Sequence, residues 1–246
     1  MNKTKIEWAD ATWNPVTGCT PISEGCTNCY AERMSHRLAG RFGYHTFDPF
    51  RVTVHHERFE EPLRWKKPRR IFVCSMGDFF HANISTAVID ALLEIMAACP
   101  QHTFMVLTKR PENIEPKLYT VTLGNPCREL GGGDYLPNLW LGVTVENQKR
   151  ADERLPYLLR CPAKVRFVSI EPMLGPVDLE KLHGIDHVIC GGETGPGARL
   201  MQVEWARELR DQCNDFGVPF FFKKMGGGRP TPKDLEIRQW PKEMTQ

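Results

Sequence analysis

Leu139-Trp140-Leu141-Gly142-Val143-Thr144-Val145-Glu146-Asn147 is apolar through Val143 and then turns to a hydroxyl, a carboxylate and an amide. A strand that is apolar at nearly every position is covered on both faces, which marks a parallel sheet. Residues 71–74, 103–107, 165–169, 187–190 and 218–222 read the same way, and a less regular seventh candidate, Lys5-Ile6-Glu7-Trp8, precedes them. Helix-like segments cover 30–41, 86–98, 147–159 and 203–216. In the second, Val88, Ala91, Leu92 and Ile95 recur at helical spacing behind the cap candidates Ser85 and Thr86. Gly217 stops the last. Strands alternating with helices build βαβ units. The expected fold class is α/β: a parallel (β/α) barrel or partial barrel of about six to seven strands. It is expected to be one domain over 1–246, with 225–246 as a C-terminal tail. Neither an internal repeat nor a linker divides the chain.

A length of 246 residues suits one large α/β domain, and 41% hydrophobic residues can fill its core. The net charge of +2 excludes a strongly basic nucleic-acid coat. No N-terminal apolar segment resembles a signal peptide and no run is long enough to span a bilayer, so a cytoplasmic location without a membrane is expected. There the nine cysteines stay reduced. Cys74, Cys99, Cys127, Cys161, Cys190 and Cys213 are scattered and read as small core residues.

The other three are clustered. Cys19-Thr20-Pro21-Ile22-Ser23-Glu24-Gly25-Cys26-Thr27-Asn28-Cys29-Tyr30 has C-x6-C-x2-C spacing. A closed structural zinc site takes four protein ligands, and a cysteine-held iron–sulfur cube normally takes four as well. Three thiolates fill three corners of a [4Fe–4S] cube and leave one iron open, the condition that metal chemistry needs.

Active sites in parallel α/β folds lie at the carboxyl ends of the strands. Polar groups leave nearly every candidate strand there: Ser75-Met76-Gly77-Asp78, Thr108-Lys109-Arg110, Glu146-Asn147, Ser169-Ile170-Glu171, Gly191-Gly192-Glu193 with Arg199 behind it, and Lys223-Lys224. Taken singly, Glu146-Asn147 also reads as a helix cap, Lys109-Arg110 as a solvated strand end and Gly191-Gly192 as an ordinary turn. Six polar ends on one rim read as a single polar cup.

Two long connections remain, 42–70 with His45, His55 and His56, and 120–138 with Gly131, Gly132 and Gly133. Connections of this length are functional or mobile as a rule. The histidines lie in a polar segment and read as solvated or hydrogen-bonded. Trp65-Lys66-Lys67-Pro68-Arg69-Arg70 reads either as a phosphate-contacting patch or as a solvated lead-in to the next strand.

With these motifs the chain resembles radical S-adenosylmethionine enzymes. More narrowly, it resembles the three-cysteine-motif proteins of bacteriophages and bacteria, long catalogued as phage proteins of unknown function. Trp13-Asn14-Pro15, the cysteine run with Tyr30-Ala31, Leu107-Thr108-Lys109-Arg110-Pro111, Ser169-Ile170-Glu171-Pro172 and Pro219-Phe220-Phe221-Phe222-Lys223 carry the likeness, with Gly142 to Asn147 and the Gly191-Gly192-Glu193 turn. The radical-enzyme superfamily usually spaces its cysteines C-x3-C-x2-C, so only the C-x2-C-aromatic half matches here.

The resemblance implies that Cys19, Cys26 and Cys29 ligate a [4Fe–4S] cluster whose open iron takes S-adenosylmethionine. It places Ser75 and Asp78 at the methionine amino group, Lys109 or Arg110 at its carboxylate, Glu146 and Asn147 at the ribose, and Gly191, Gly192 and Glu193 near adenine. Reductive cleavage would give a 5′-deoxyadenosyl radical acting on a nucleoside or nucleic acid, with an electron donor of flavodoxin or ferredoxin type as partner. Two alternatives stand beside it. One is a non-catalytic nucleic-acid-binding module stapled by zinc through the three cysteines and His36 or His45. The other is a metal-free enzyme using Glu171 and Glu193 as acid and base.

Overall fold

In the computed structural model, residues 4, 6–118, 136–161, 163–178 and 183–242 are described. Gly131, Gly132, Gly133 and Cys127 lie outside them, as do Lys5 and the last four residues of the expected tail.

Seven parallel strands form one sheet: β1 (Ala11–Trp13), β4 (Arg70–Val73), β5 (Thr103–Thr108), β6 (Leu139–Thr144), β7 (Val165–Ile170), β8 (His187–Cys190) and β9 (Phe220–Phe222). A small antiparallel pair, β2 (Val16–Thr17) with β3 (Thr53–Val54), stands apart. Spatial order follows chain order throughout the large sheet. Crossovers between parallel neighbours are right-handed as a rule, so this order sends the helices to one face. Strand twist curls the sheet into a half-barrel around the other.

Side-chain alternation separates the two faces. Phe104, Val106, Leu139, Leu141, Val143, Val188, Phe220 and Phe222 pack against Leu92, Leu93, Met96, Leu155, Leu158, Ala206 and Leu209 of the helices Thr86–Ala97, Gln148–Arg160 and Val203–Asp215. The inner face carries Met105, Trp140, Val165, Phe167, Ile189 and Phe221, packed with Trp8 and Ala9. Helix boundaries follow local chemistry. Ser85 accepts a hydrogen bond from Val88 N and Asn147 accepts one from Arg150 N, both as N-caps. Gly217, at φ 66°, takes the left-handed turn after Val203–Asp215.

The seventh strand is Ala11–Trp13, and the described residues 6–8 of the expected candidate are not a strand. Its register opposite Ile71–Val73 begins at Ala11, next to Asp10, whose carboxylate accepts from Arg70 N at 2.8 Å. Trp8 is used differently. Its ring lies 4.5 Å from Phe72 and 6.4 Å from Phe167, and it plugs the inner face. The last strand starts at Phe220, after Pro219, which has no N–H to give to a ladder.

The segment expected as a tail folds back over β9. Phe222 N donates to Ile237 O and Gln239 N to Phe220 O, both at 3.0 Å, while Leu235 is fully buried. Trp240 packs edge-on against Phe221 and tilted against His187, closing the inner face from the far side. Among the described residues no helix is long and apolar enough to cross a membrane.

Gly142 marks the tightest point of the inner face. A Cβ there would stand 2.4 Å from the Phe167 ring. Gly142→Ala is expected to lower unfolding free energy by about 1–3 kcal/mol through overpacking. Urea titration followed by tryptophan fluorescence measures this, and an unchanged midpoint would count against the packing described.

Candidate functional site

Residues 18–29 cross the carboxyl end of the sheet with a single short turn of regular structure, the 3-10 segment Glu24–Cys26. Backbone bonds seat the start of the loop: Gly18 N donates to Met76 O at 2.9 Å and Cys19 N to Phe50 O at 3.1 Å. Gly18 has φ 84°, and a Cβ there would come within 2.0 Å of Arg51 O, so only glycine fits.

Side chains hold the rest. At the ends of β4 and β5, Arg110 Nη1 lies 3.1 Å from Cys19 Sγ and 3.2 Å from Asp78 Oδ2, while Nη2 donates to the Thr20 carbonyl at 2.6 Å. Asp78 also accepts from Thr108 Oγ1 at 2.7 Å and from the backbone N–H groups of Phe80 and Lys109. Four donors occupy this buried carboxylate. Cys74, just before it, takes a left-handed φ of 55°, a conformation rare outside glycine that costs roughly 1–3 kcal/mol.

At the end of β6, Glu146 is fully buried. It accepts from Ser23 Oγ at 2.7 Å and Arg154 Nη1 at 2.9 Å, and Lys109 Nζ stands 3.9 Å away. Gly25 lies directly over it, since a Cβ there would meet Glu146 Oε1 at 2.3 Å. Asn147 Nδ2 donates to Glu24 Oε1 at 2.6 Å, and Arg150 binds Glu24 Oε2 through Nε and Nη2. At the end of β8, Glu193 accepts from Asn28 Nδ2 at 2.9 Å and from Arg199 through both Nε and Nη2. Arg33, on the helix Tyr30–Leu38, donates to Thr194 O at 2.9 Å.

Thus Cys19, Cys26, Cys29, Asp78, Lys109, Arg110, Glu146, Asn147 and Glu193 meet on one rim, and five of the strand-end residues spend their polar atoms on the cysteine loop or its arginines. Ser75 Oγ donates to Asn14 Oδ1 at 3.1 Å, on the same rim. The space beside Gly191 is taken by Glu171, and that beside Gly192 by Met225 O, 1.9 Å from a hypothetical Cβ. Neither position has room for a side chain. Ser23, Glu24, Asn28, Arg150 and Arg154 complete the clamp. Their signal was the polar residues interleaved with the cysteines and the pair of arginines that follows Glu146.

The basic run lies elsewhere. It leads into the amino end of β4, opposite the rim, so it does not flank the cup. Trp65 is half-buried against His102, Arg69 stacks on it at 5.2 Å, and Arg70 is spent on Asp10 and Trp240. The histidines are solvated or hydrogen-bonded, as their setting implied. His55 is buried 2.8 Å from Thr17 Oγ1, His45 Nδ1 accepts from Asp48 N at 3.0 Å, and His56 is exposed. Cys74, Cys99, Cys161, Cys190 and Cys213 are buried free thiols, whereas Cys19, Cys26 and Cys29 are half-buried.

The thiols differ in acidity. Burial, reinforced by the Asp78 charge, pushes Cys19 up to about 11 despite Arg110. Burial acts on Cys26 too, but hydrogen bonds at the Ile22 and Ser23 backbone and the Lys109 charge outweigh it and lower its pKa. The Arg150 hydrogen bonds hold Glu24 at about 2, and those of Arg199 hold Glu193 at about 2.

The half-barrel, with three free thiols on its rim loop, makes this a parallel α/β protein. The family model described as "Protein of unknown function (DUF5131)" matches residues 3–242, and the chain belongs to that family. No curated protein and no solved structure matches it.

Two measurements check this site. Because Cys26 carries more thiolate than Cys19 near pH 8, iodoacetamide should label it roughly tenfold faster, once the lower nucleophilicity of the more acidic thiol is included. Peptide mapping that finds Cys19 labelled first would contradict the acidity order. Glu24 and Glu193 have depressed folded-state values, so their clamps contribute fully above the ordinary 4.5 and are lost as pH falls towards 2. Hydrogen exchange over residues 19–29, corrected for intrinsic rates, should rise on acidification from pH 5 to pH 3, and Arg199→Ala should raise it already at pH 7.

Proposed function

We propose that this chain is a radical S-adenosylmethionine enzyme acting on a nucleoside or nucleic acid. One observation carries the reading: three free, half-exposed cysteines stand on one loop that acid–arginine pairs clamp over the carboxyl ends of a parallel half-barrel.

Cys19, Cys26 and Cys29 would hold a [4Fe–4S] cluster. When bound, cluster and S-adenosylmethionine supply reductive cleavage to a 5′-deoxyadenosyl radical able to take hydrogen from an unactivated carbon. The donor set fits. Thiolates are the required ligands, ligation displaces the Cys19 proton, and Arg110 stands where it balances a thiolate charge. Asp78, with all its donors internal, acts by positioning Arg110. Glu146, Asn147 and Glu193 position the loop in the same way. Lys109 keeps an ammonium on the rim with only a 3.9 Å contact to Glu146, and it suits the methionine carboxylate. The aromatic inner face forms an apolar floor below the cup. An electron donor of flavodoxin or ferredoxin type is the partner this chemistry requires.

The alternatives draw less support. A zinc staple needs a fourth ligand beside the three thiolates, and His45 Nδ1, which could supply one, already accepts from Asp48 N at 3.0 Å. The acid–base reading loses Glu193, because Arg199 keeps that carboxylate ionised far below neutral pH.

Anaerobic reconstitution of wild-type protein is expected to yield a brown protein with about four irons per chain and to release 5′-deoxyadenosine from S-adenosylmethionine. Cys19→Ala, Cys26→Ala or Cys29→Ala should each abolish the visible charge-transfer band, while Cys74→Ala, Cys190→Ala and Cys213→Ala keep it. A colourless protein holding one zinc would overturn the reading.

A further inference from the structure

One ion pair on the rim takes no part in clamping the cysteine loop. Glu171 Oε1 lies 2.8 Å from Lys223 Nζ. Glu171 follows β7 and Lys223 follows β9, so the pair closes across the end of β8 between them. Gly191 makes this possible, because a Cβ there would stand 2.8 Å from Glu171 Oε1 and 3.3 Å from its Cγ and Cδ. Backbone bonds keep the three ends level: Gly191 N donates to Ile170 O at 3.1 Å, Lys223 N to Cys190 O at 2.8 Å and Met173 N to Gly191 O at 3.0 Å. Alternation puts Glu171, Gly191 and Lys223 on the inner face, above Phe167, Ile189 and Phe221.

The other rim carboxylates each have two or more hydrogen-bond donors. Asp78 takes four donors, and Glu146 and Glu193 are each held by an arginine and a loop side chain. Among the described residues the Glu171 carboxylate and the Lys223 ammonium have each other as their one side-chain partner. A carboxylate can accept about four hydrogen bonds and an ammonium donates three. Both side chains also stay open to solvent, at 16% and 19% exposure. The same strand end also carries Glu193, which holds Asn28 beside Cys29. The pair thus stands at the wall of the cup nearest that end of the cysteine loop.

We propose that Glu171 and Lys223 form a substrate-orienting pair that takes a neutral planar group with one donor beside one acceptor, the arrangement of a nucleobase edge. This rests on the reading of the cup as the chamber that holds substrate. A lone anion would draw Lys223 away and leave the part-buried Glu171 uncompensated, and a lone cation would do the reverse. Separating such a pair is costly. A group that donates to Glu171 and accepts from Lys223 adds hydrogen bonds to both without parting them. Carboxylates accept from exocyclic amines and lysines donate to ring nitrogens or carbonyls when such side chains read base edges. A base outside a duplex stack presents that edge to a pocket of this kind.

The test uses full-length protein without cluster, titrated with cytidine, guanosine and adenosine and followed by ligand-observed NMR and calorimetry. Saturable binding of at least one nucleoside is expected, with Kd raised at least tenfold in Glu171→Gln and in Lys223→Met. Gly191→Ala keeps both charges but displaces the carboxylate, and it should lose binding likewise. Melting temperatures identify any variant that is merely unfolded, and the folded ones decide. Unchanged affinity in the folded variants overturns the pair. So does the absence of saturable nucleoside binding to wild type, and so does saturation by free methionine or inorganic phosphate alone. A protein that loads about four irons yet binds no nucleoside sinks the pair alone, and a colourless protein whose nucleoside binding depends on Glu171 sinks the cluster reading alone.

Discussion

The guanidinium of Arg110, held between Asp78 and Cys19, is the constraint on which the rest of the rim depends. A loop over residues 18–29 with one 3-10 turn cannot fix three thiols by backbone bonding alone. It needs partners from the sheet. Arg110 supplies them from β5, and Asp78 reaches across from the end of β4 to hold Arg110 at one orientation. Glu146 with Ser23 does the same from β6, and Glu193 with Asn28 from β8. The loop is thus tied to strand ends far apart in sequence, so its shape is fixed only once the sheet has formed.

Buried charge is an expensive way to do this. Desolvation can exceed the attraction between partners unless the remaining lone pairs are met. Here they are met: each carboxylate takes several donors, many of them from the backbone or from the loop itself. Such pairs do little for stability compared with the aromatic and aliphatic faces of the sheet. Their contribution is to geometry, because a guanidinium bonded to a carboxylate and a thiol at once tolerates little displacement.

The strands were legible because both faces of the sheet are covered, which makes β5, β6 and β7 nearly continuous in apolar residues. β1 was not, since it spans three residues and the more apolar Ile6 and Trp8 beside it are used to plug the inner face. The rim was legible from one rule, that polar groups at the carboxyl ends of parallel strands share a side. The same rule, applied to Lys66, Lys67, Arg69 and Arg70, places them at the opposite end, because they precede their strand. What no local pattern could reveal was the pairing. Ser23 and Glu146, or Asn28 and Glu193, are brought together by the curl of the sheet, and nothing in their spacing records it. Asp78, Arg110, Glu146, Asn147 and Glu193, expected at a cofactor, bond to the cysteine loop or to the arginines that hold it.

The chemistry of the partner explains why one rim carboxylate is left over. Arginine offers a planar fork, and Arg199 engages both oxygens of Glu193 while its backbone N–H adds a further bond. Lysine offers a point charge on a flexible stem. Lys223 meets Glu171 at one oxygen and leaves the second oxygen and its own further protons free. Gly191 puts no side chain between them, and alternation sets the pair on the inner-face side of the rim. Arg110, Arg150, Arg154 and Arg199 bond the acids that clamp the loop, whereas Glu171 is matched with a lysine alone, and that difference leaves the proposed pair hydrogen-bonding capacity for a ligand.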